Sequence, residues 1–472
     1  MLNKISLPFL YDYVFPNIIL PNGLHPNMAI INYITTQYTN QYRSQTIFET
    51  NFEGNENNPF FLIFNNHLGV MPSTLRMDGS YLRQTCFHNL VRIEEDSVYF
   101  GKLRHQKYIY PMKLTLHFDR FTGNDRLCHK QNGEYFWKHI SEEALHDIRG
   151  RRACIFLDWA NENFIDKQEF LDLHHSLKKS GIPREQIVLS VNSFNAQQVY
   201  ESWFSPEERM LEVRNLPFLL ANISCYFAQD DRSRIKGTEW YLSRHRLREN
   251  YFLFPNRRGR PHRLALIFKL ASEGVIDKGD WSLLDSNQLD HGFYEAERVY
   301  QINRDKVTES LTGKLPHNLK TEQGMTFEKD YGWNPNLSSS PFLHSYFYIA
   351  SETYTNGEYK SLTEKVFKPI ANYMPFIFVA FHGALDELRK LGFKTFEGFI
   401  DESYDKEPDY VTRMNMIATQ ILRLTSMTKE ELHNWYWSME DIFKFNRNHL
   451  FEIYKDEPVS KAFINHLWSK IQ

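Results

Sequence analysis

From residue 150 onward the chain alternates short, unbroken apolar runs with stretches of helical period, and no other feature narrows the fold as far. Residues 153–158 (ACIFLD) have the apolar continuity of a strand buried on both faces. Residues 166–180 follow with Phe170, Leu173 and Leu177 on one helical stripe, and Gly181-Ile182-Pro183 stops them. Residues 186–191 (QIVLSV) read as a second buried strand, 195–204 as a helix, and 223–228 (ISCYFA) as a third strand. Strands and helices in alternation call for a parallel sheet, because a parallel neighbour is reached only by a long crossover.

A second series begins farther on. Residues 251–256 (YFLFPN) form a strand ending in a turn, and the run from His262 to Gly274 is a helix. Residues 281–285, 344–351 and 375–380 are further strands, with helices over 364–373 and 384–391. From Pro408 the chain is helical to its end, and Thr428 and Glu431 have the spacing of a capping box. A length of 472 residues exceeds one ordinary core and suits two domains. The expected fold is α/β, with two Rossmann-like domains in tandem. The first spans 1–235 and is strand-rich early on (59–64 and 108–118); the second spans 250–405. Helices over 408–472 are expected to pack across both.

Composition removes several classes. Hydrophobic residues are 42% and charged residues 24%, so this is a folded globular chain. No apolar run approaches the length of a membrane span. Pro8, Asp12 and Pro16 break the first apolar stretch, and no cleavage site follows it. Cys86, Cys128, Cys154 and Cys225 form no CxxC pair, which fits a reducing compartment and a cytoplasmic location. Asp230-Asp231 lacks the Asp-x-Asp spacing of a cation site, and His174-His175 has no third ligand at metal spacing. A GxSxG elbow and a Walker A loop are absent. Neither a metal nor a cofactor is expected.

Chemistry concentrates after two strands. Asn256-Arg257-Arg258-Gly259-Arg260-Pro261-His262-Arg263 leaves a strand and opens a helix, where unpaired backbone N–H groups and the helix dipole attract phosphate. Pro261 suits a first helical turn, and the arginines add planar forks matched to phosphate oxygens. This run belongs to a wider segment, residues 232–263, with ten Lys or Arg against two acids, a local +8 in a chain of net charge −3. The second concentration is Glu352, at the end of strand 344–351, followed by Thr363-Glu364-Lys365 at the start of a helix. Glu352 suits ribose hydroxyls, Thr363 a helix cap, and Lys365 a diphosphate.

Residues 345–393 resemble the donor-binding domain of the α1,3-fucosyltransferases and related GT-B glycosyltransferases. The resemblance rests on a strand followed by Glu352-Thr353, on Thr363-Glu364-Lys365, on a Pro375-led strand and on His382-Gly383. Asn256 and Arg263 match an Asn and an Arg about seven residues apart at the family's first strand, so the likeness covers roughly residues 251–393. It implies that Arg263 and Lys365 hold a donor diphosphate, with Glu352 and Glu364 near the ribose and sugar. It also implies GT-B architecture, a nucleotide-sugar donor, a glycan or other hydroxyl acceptor, and metal-independent transfer with inversion.

An acceptor hydroxyl must lose its proton as it attacks. The acids best placed for this in the first domain are Asp158, at the end of a strand, and Glu162, in the loop that follows. Two other readings stand beside this one. The basic segment 232–263 suits a nucleic-acid backbone, so the chain is alternatively a nucleic-acid-binding or nucleic-acid-modifying protein, such as a glycosyltransferase acting on a DNA base. A non-catalytic α/β scaffold is the third.

Overall fold

The computed structural model describes residues 9–11, 90–92, 108–113, 142–159, 167–215, 235–285, 289–302, 305, 311, 317, 319, 340–357, 359–453, 466 and 469–470. The chain divides into two compact units, Met1–Phe218 with Glu457–Gln472, and Leu219–Asp456. Each unit is built on its own wholly parallel sheet.

The first unit contains β1 (Phe9–Tyr11), β2 (Leu90–Arg92), β3 (Tyr108–Lys113), α1 (Glu142–Arg149), β4 (Ala153–Trp159), α2 (Lys167–Ser180), β5 (Ile187–Val191), α3 (Ala196–Trp203) and β6 (Glu212–Asn215). Its strands lie in the order β2-β1-β3-β4-β5-β6. Ile155, Phe156 and Leu157 of β4 and Ile187, Val188 and Leu189 of β5 are fully buried, as strands covered on both faces must be. Phe170 and His174 of α2 meet Tyr200 of α3 and Phe204 in an aromatic cluster, and His174 Nε2 lies 2.8 Å from the Tyr200 hydroxyl. Burial lowers the His174 pKa to about 4, with Lys178 adding to the effect. Cys154 is a buried free thiol.

One strand here went unread in the sequence. The strand beside β5 is β6, which no apolar run announces. At the sheet edge Val213 alone among its four residues is buried. The expected strands at 59–64 and 223–228 lie outside the described residues. Glu212 of β6 pairs with His466 and Lys470, and Lys470 also bonds the Glu185 carbonyl. Burial would raise the Glu212 pKa, but its hydrogen bonds with His466 and Lys470 outweigh it and hold the carboxyl at about 2.

The second unit contains α4 (Gly237–Leu242), β7 (Asn250–Arg258), α5 (Pro261–Ser272), β8 (Asp280–Asp285), α6 (Leu289–Tyr300), α7 (Ser340–His344), β9 (Ser345–Ser351), α8 (Glu364–Ala371), β10 (Phe376–Val379), α9 (Ala384–Lys390), α10 (Tyr410–Ser426), α11 (Lys429–Trp437) and α12 (Glu440–Ile453). The strand order is β10-β9-β7-β8. Pro261 opens α5, and Gly274, at φ +67°, turns the chain just past its end in a conformation that favours glycine. The capping box of α11 is formed by Thr428 and Glu431. Helices α10 to α12 pack within this unit, α10 against β10 and α12 against α8. No helix among the described residues is long and apolar enough to cross a membrane.

An aromatic seam joins these helices to α4. Trp240 stacks on Tyr373 at 4.2 Å, and its indole N–H donates to the Tyr436 hydroxyl at 2.7 Å. The Tyr436 hydroxyl donates in turn to the Tyr373 carbonyl at 2.6 Å. Arg248 lies 3.9 Å over the Tyr436 ring, and its Nη1 donates to the carbonyls of Phe342 and Ser345.

Candidate functional site

The strand order fixes where to look. From β7 the chain crosses to β8 on one side, then returns past β7 to β9 on the other. Such a reversal leaves a crevice at the carboxyl ends of the two strands, and open α/β sheets bind their ligands there. The ends of β7 and β9 carry both concentrations of chemistry seen in the sequence.

The arginine run is divided by the structure. Arg257 and Arg258 are still strand residues, and Arg258 pairs with Asp285 of β8. Arg260 is the half-buried N-cap residue of α5, with its guanidinium 5.9 Å from the Tyr354 ring centre. His262 and Arg263 turn inward. His262 Nε2–H donates to the Glu352 carbonyl at 2.9 Å, and Arg263 Nη2 donates to the carbonyls of Ser351 (2.8 Å) and Glu352 (3.0 Å). The first turn of α5 thus clamps the end of β9. Burial and the adjacent Arg263 charge lower the His262 pKa to about 3, so the imidazole is neutral at pH 7. Burial also brings Arg263 down to about 10, which leaves it charged.

Glu352 is the hub on the other side. Its backbone N–H donates to the Val379 carbonyl of β10 at 2.9 Å. Its carboxylate accepts from the Thr363 N–H (2.9 Å) and the Thr363 hydroxyl (2.6 Å), and Lys365 Nζ lies 3.7 Å from it. Thr363 caps α8, and Lys365 Nζ donates to Thr363 Oγ1 (2.9 Å) and Glu364 Oε1 (3.0 Å). Burial raises the Glu352 pKa; Lys365 opposes the shift and Glu364 adds to it. For Glu364 burial acts in the same direction, but Lys365 and Lys368 prevail and hold it at about 2. Two carboxylates of unlike basicity therefore flank one ammonium group. The side chain of Lys365 is 20% exposed, whereas that of Glu352 is 3% exposed.

The expected residues are brought together in part. Glu352, Thr363, Glu364, Lys365, Arg260 and Arg263 share this end of the sheet. Sequence reasoning treats Arg263 and Glu352 as facing a ligand, whereas both are buried and bonded to the protein. Asn256 is buried at the end of β7 with its Oδ1 unpartnered, as are Ser351 Oγ and Ser361 Oγ. Each such atom costs about 1–3 kcal/mol until something polar meets it. Asp158 is the penultimate residue of β4, paired with Lys113 and Ser190, and Glu162 lies outside the described residues. The Gly loop at Gly383, φ +83°, is already filled: the Asp405 carboxylate accepts from the N–H groups of Leu385 (2.9 Å) and Asp386 (3.3 Å).

Two residues went unnoticed in the sequence. Tyr354 is 49% exposed although its loop is pinned on both sides, by Glu352 before it and by Thr355 after it. The Thr355 carbonyl accepts from buried Arg413 at 2.9 Å, and Arg413 also bonds the carbonyls of Glu407 and Pro408. An aromatic three residues past a strand end is a signal for Tyr354; nothing local points to Arg413.

Several cations of the basic segment are already engaged within the protein. Arg248 and Arg263 are buried on carbonyls, and Arg244 pairs with Glu440 at 3.0 Å. Among the described residues no three of His, Cys, Asp and Glu are grouped as metal ligands.

No family model matches the chain, and no curated protein matches it. Solved structures with some likeness include a glycosyltransferase from Rickettsia africae, at 8% identity and a TM-score of 0.37, covering 96% of this chain and 99% of that one. An α,α-trehalose-phosphate synthase (UDP-forming) from Burkholderia vietnamiensis shows 11% identity and a TM-score of 0.36, covering 78% and 74%. The N-terminal domain of trehalose-6-phosphate phosphatase from Candida albicans shows 10% identity and a TM-score of 0.37, covering 79% and 73%. These likenesses are loose, and the Rossmann-like character of each unit rests on its own sheet.

Proposed function

We propose that the chain is a glycosyltransferase of the GT-B kind, whose second unit binds a nucleoside-diphosphate sugar and whose first unit receives a hydroxyl acceptor. The observation that carries this reading is the switch-point crevice. There Arg260, Lys365 and the amino ends of α5 and α8 gather positive charge beside unpartnered buried polar atoms. A diphosphate supplies the negative charge and acceptor oxygens such a place suits. The resemblance of residues 345–393 to the fucosyltransferase donor domain agrees with it.

In this reading Lys365 and Arg260 stabilise the diphosphate as it departs, which is the main electrostatic demand of the reaction. Glu352 and Thr363 hold the Lys365 ammonium in place, and His262 and Arg263 fix the strand end from which Glu352 projects. Arg263 therefore frames the site instead of touching the phosphates. Tyr354 offers an exposed ring for the nucleobase. Asp158 or Glu162 takes the acceptor proton. Transfer proceeds without a divalent metal.

The direct test is calorimetric titration with a panel of nucleoside diphosphates, followed by transfer assays with the matching sugars under chelation. Selective binding of one diphosphate, weakened several-fold or more by Lys365→Ala, is expected. Failure to bind any nucleoside diphosphate or pyrophosphate sinks the reading. Loss of transfer on chelation, restored by Mn²⁺, moves it to a metal-dependent mechanism. If Asp158→Asn and Glu162→Gln both transfer at the wild-type rate, the base lies elsewhere.

A further inference from the structure

Away from the crevice, the stretch that runs from α4 through the 3-10 turn Ser243–His245 to Leu247 exposes apolar surface on a rigid support. Of seven large hydrophobic side chains exposed among the described residues, Tyr241 (50%), Leu242 (67%) and Leu247 (46%) lie within seven positions. They are not loose ends. Trp240 is stacked on Tyr373, Ser243 is buried with its hydroxyl on the Trp240 carbonyl at 2.6 Å, and Arg248 is anchored under Tyr436. Anchoring residues alternate with the exposed ones, so the apolar side chains are held outward. Apolar groups fixed in water at this density mark a contact surface.

The charges around them say what kind. Lys236, Arg244, His245 and Arg246 are exposed on the same stretch. Lys236 and Arg246 have no ion-pair partner among the described residues, while Arg244 is shared with Glu440 and the Trp437 ring. The acids nearby are Glu239, Glu249, which meets His344 at 3.1 Å, and Glu440, which Arg244 and Lys444 share. A second copy of this chain meeting the patch face to face would set these cations against themselves. Leucine and tyrosine between long basic side chains, which reach past an apolar layer to headgroup phosphates, suit an interfacial position.

We propose that residues 236–247 dock the protein on an anionic lipid surface. Tyr241, Leu242 and Leu247 enter the headgroup boundary, and Lys236 and Arg246 meet the lipid phosphates. This is independent of the ligand assigned to the crevice.

The test is co-sedimentation of the full chain with vesicles of phosphatidylcholine alone or mixed with phosphatidylglycerol. The wild type should bind the mixed vesicles and leave them in high salt. Leu242→Asp combined with Leu247→Asp should cut binding by about 10-fold or more. Lys236→Glu with Arg246→Glu should cut it by about 30-fold. All four positions are exposed, so thermal unfolding should be unchanged, and the charge pair keeps the test open if the apolar pair misfolds. Absence of binding to mixed vesicles, equal binding to both vesicle types, or binding unaffected by the charge pair overturns the proposal. So does a wild-type dimer that the apolar pair converts to monomer, which makes the face a contact between copies.

Discussion

Strand β9 is held at each end by a buried arginine from the same basic segment. At its start Arg248 bonds the Ser345 carbonyl; at its end Arg263 bonds the Ser351 carbonyl. The chemistry around the two is opposite. Arg248 lies under aromatic rings, with Tyr346, Tyr436 and Trp240 closing the seam. Arg263 lies against Glu352, whose carboxylate reaches Thr363 and Lys365. A buried arginine is thus no mark of a site by itself. At the amino end of β9 it secures the fold, and at the carboxyl end it frames the place where the proposed function puts the diphosphate.

The contrast breaks most readily at Lys365. Lys365→Ala should lower sugar transfer by at least about 10²-fold, the scale of one lost transition-state donor, and should also cost stability, because Glu352 and Glu364 lose the ammonium they share. Arg248→Ala should act on stability alone, costing about 2 kcal/mol in urea titration because two charged hydrogen bonds go, while diphosphate affinity and transfer hold. A variant of Arg248 that loses nucleotide but not stability would abolish the distinction between the two ends.

Acid sharpens it. The His262 pKa is lowered to about 3 in the folded chain, so its contribution is fully present above the unfolded value near 6.5. Below that pH the unfolded chain takes up the proton first. Stability should therefore fall as pH drops from 6.5 towards 3, by up to about 1.4 kcal/mol per pH unit. His262→Asn should flatten that slope in pH-dependent urea titrations. The smallest effect belongs to Tyr354. Tyr354→Ala should weaken a nucleoside diphosphate by about 1 kcal/mol, roughly five-fold, and leave inorganic pyrophosphate unaffected.

Much of the architecture was legible because buried parallel strands must be apolar throughout, as in β4, β5, β9 and β10. Strand β6 was not, since an edge strand with a single buried residue has no such run. The Thr363-Glu364-Lys365 turn was readable from its capping chemistry. In the basic segment a count of charges does not record direction: Arg248 and Arg263 are buried in the protein. Arg413 supports the Tyr354 loop from 58 residues away, a contact that only folding creates.

The pairing of Glu212 with Lys470 has a consequence for the order in which the molecule is made. The two residues are 258 positions apart, with the whole of the second unit synthesised between them. At about 5–20 residues per second, roughly 13–50 seconds separate their emergence. Through that interval Glu212 has Arg214 beside it but neither His466 nor Lys470, while the second unit is free to fold ahead of the first. The first unit begins earlier and finishes later, so a ribosome that stalls before His466 leaves behind a first unit lacking both of those contacts.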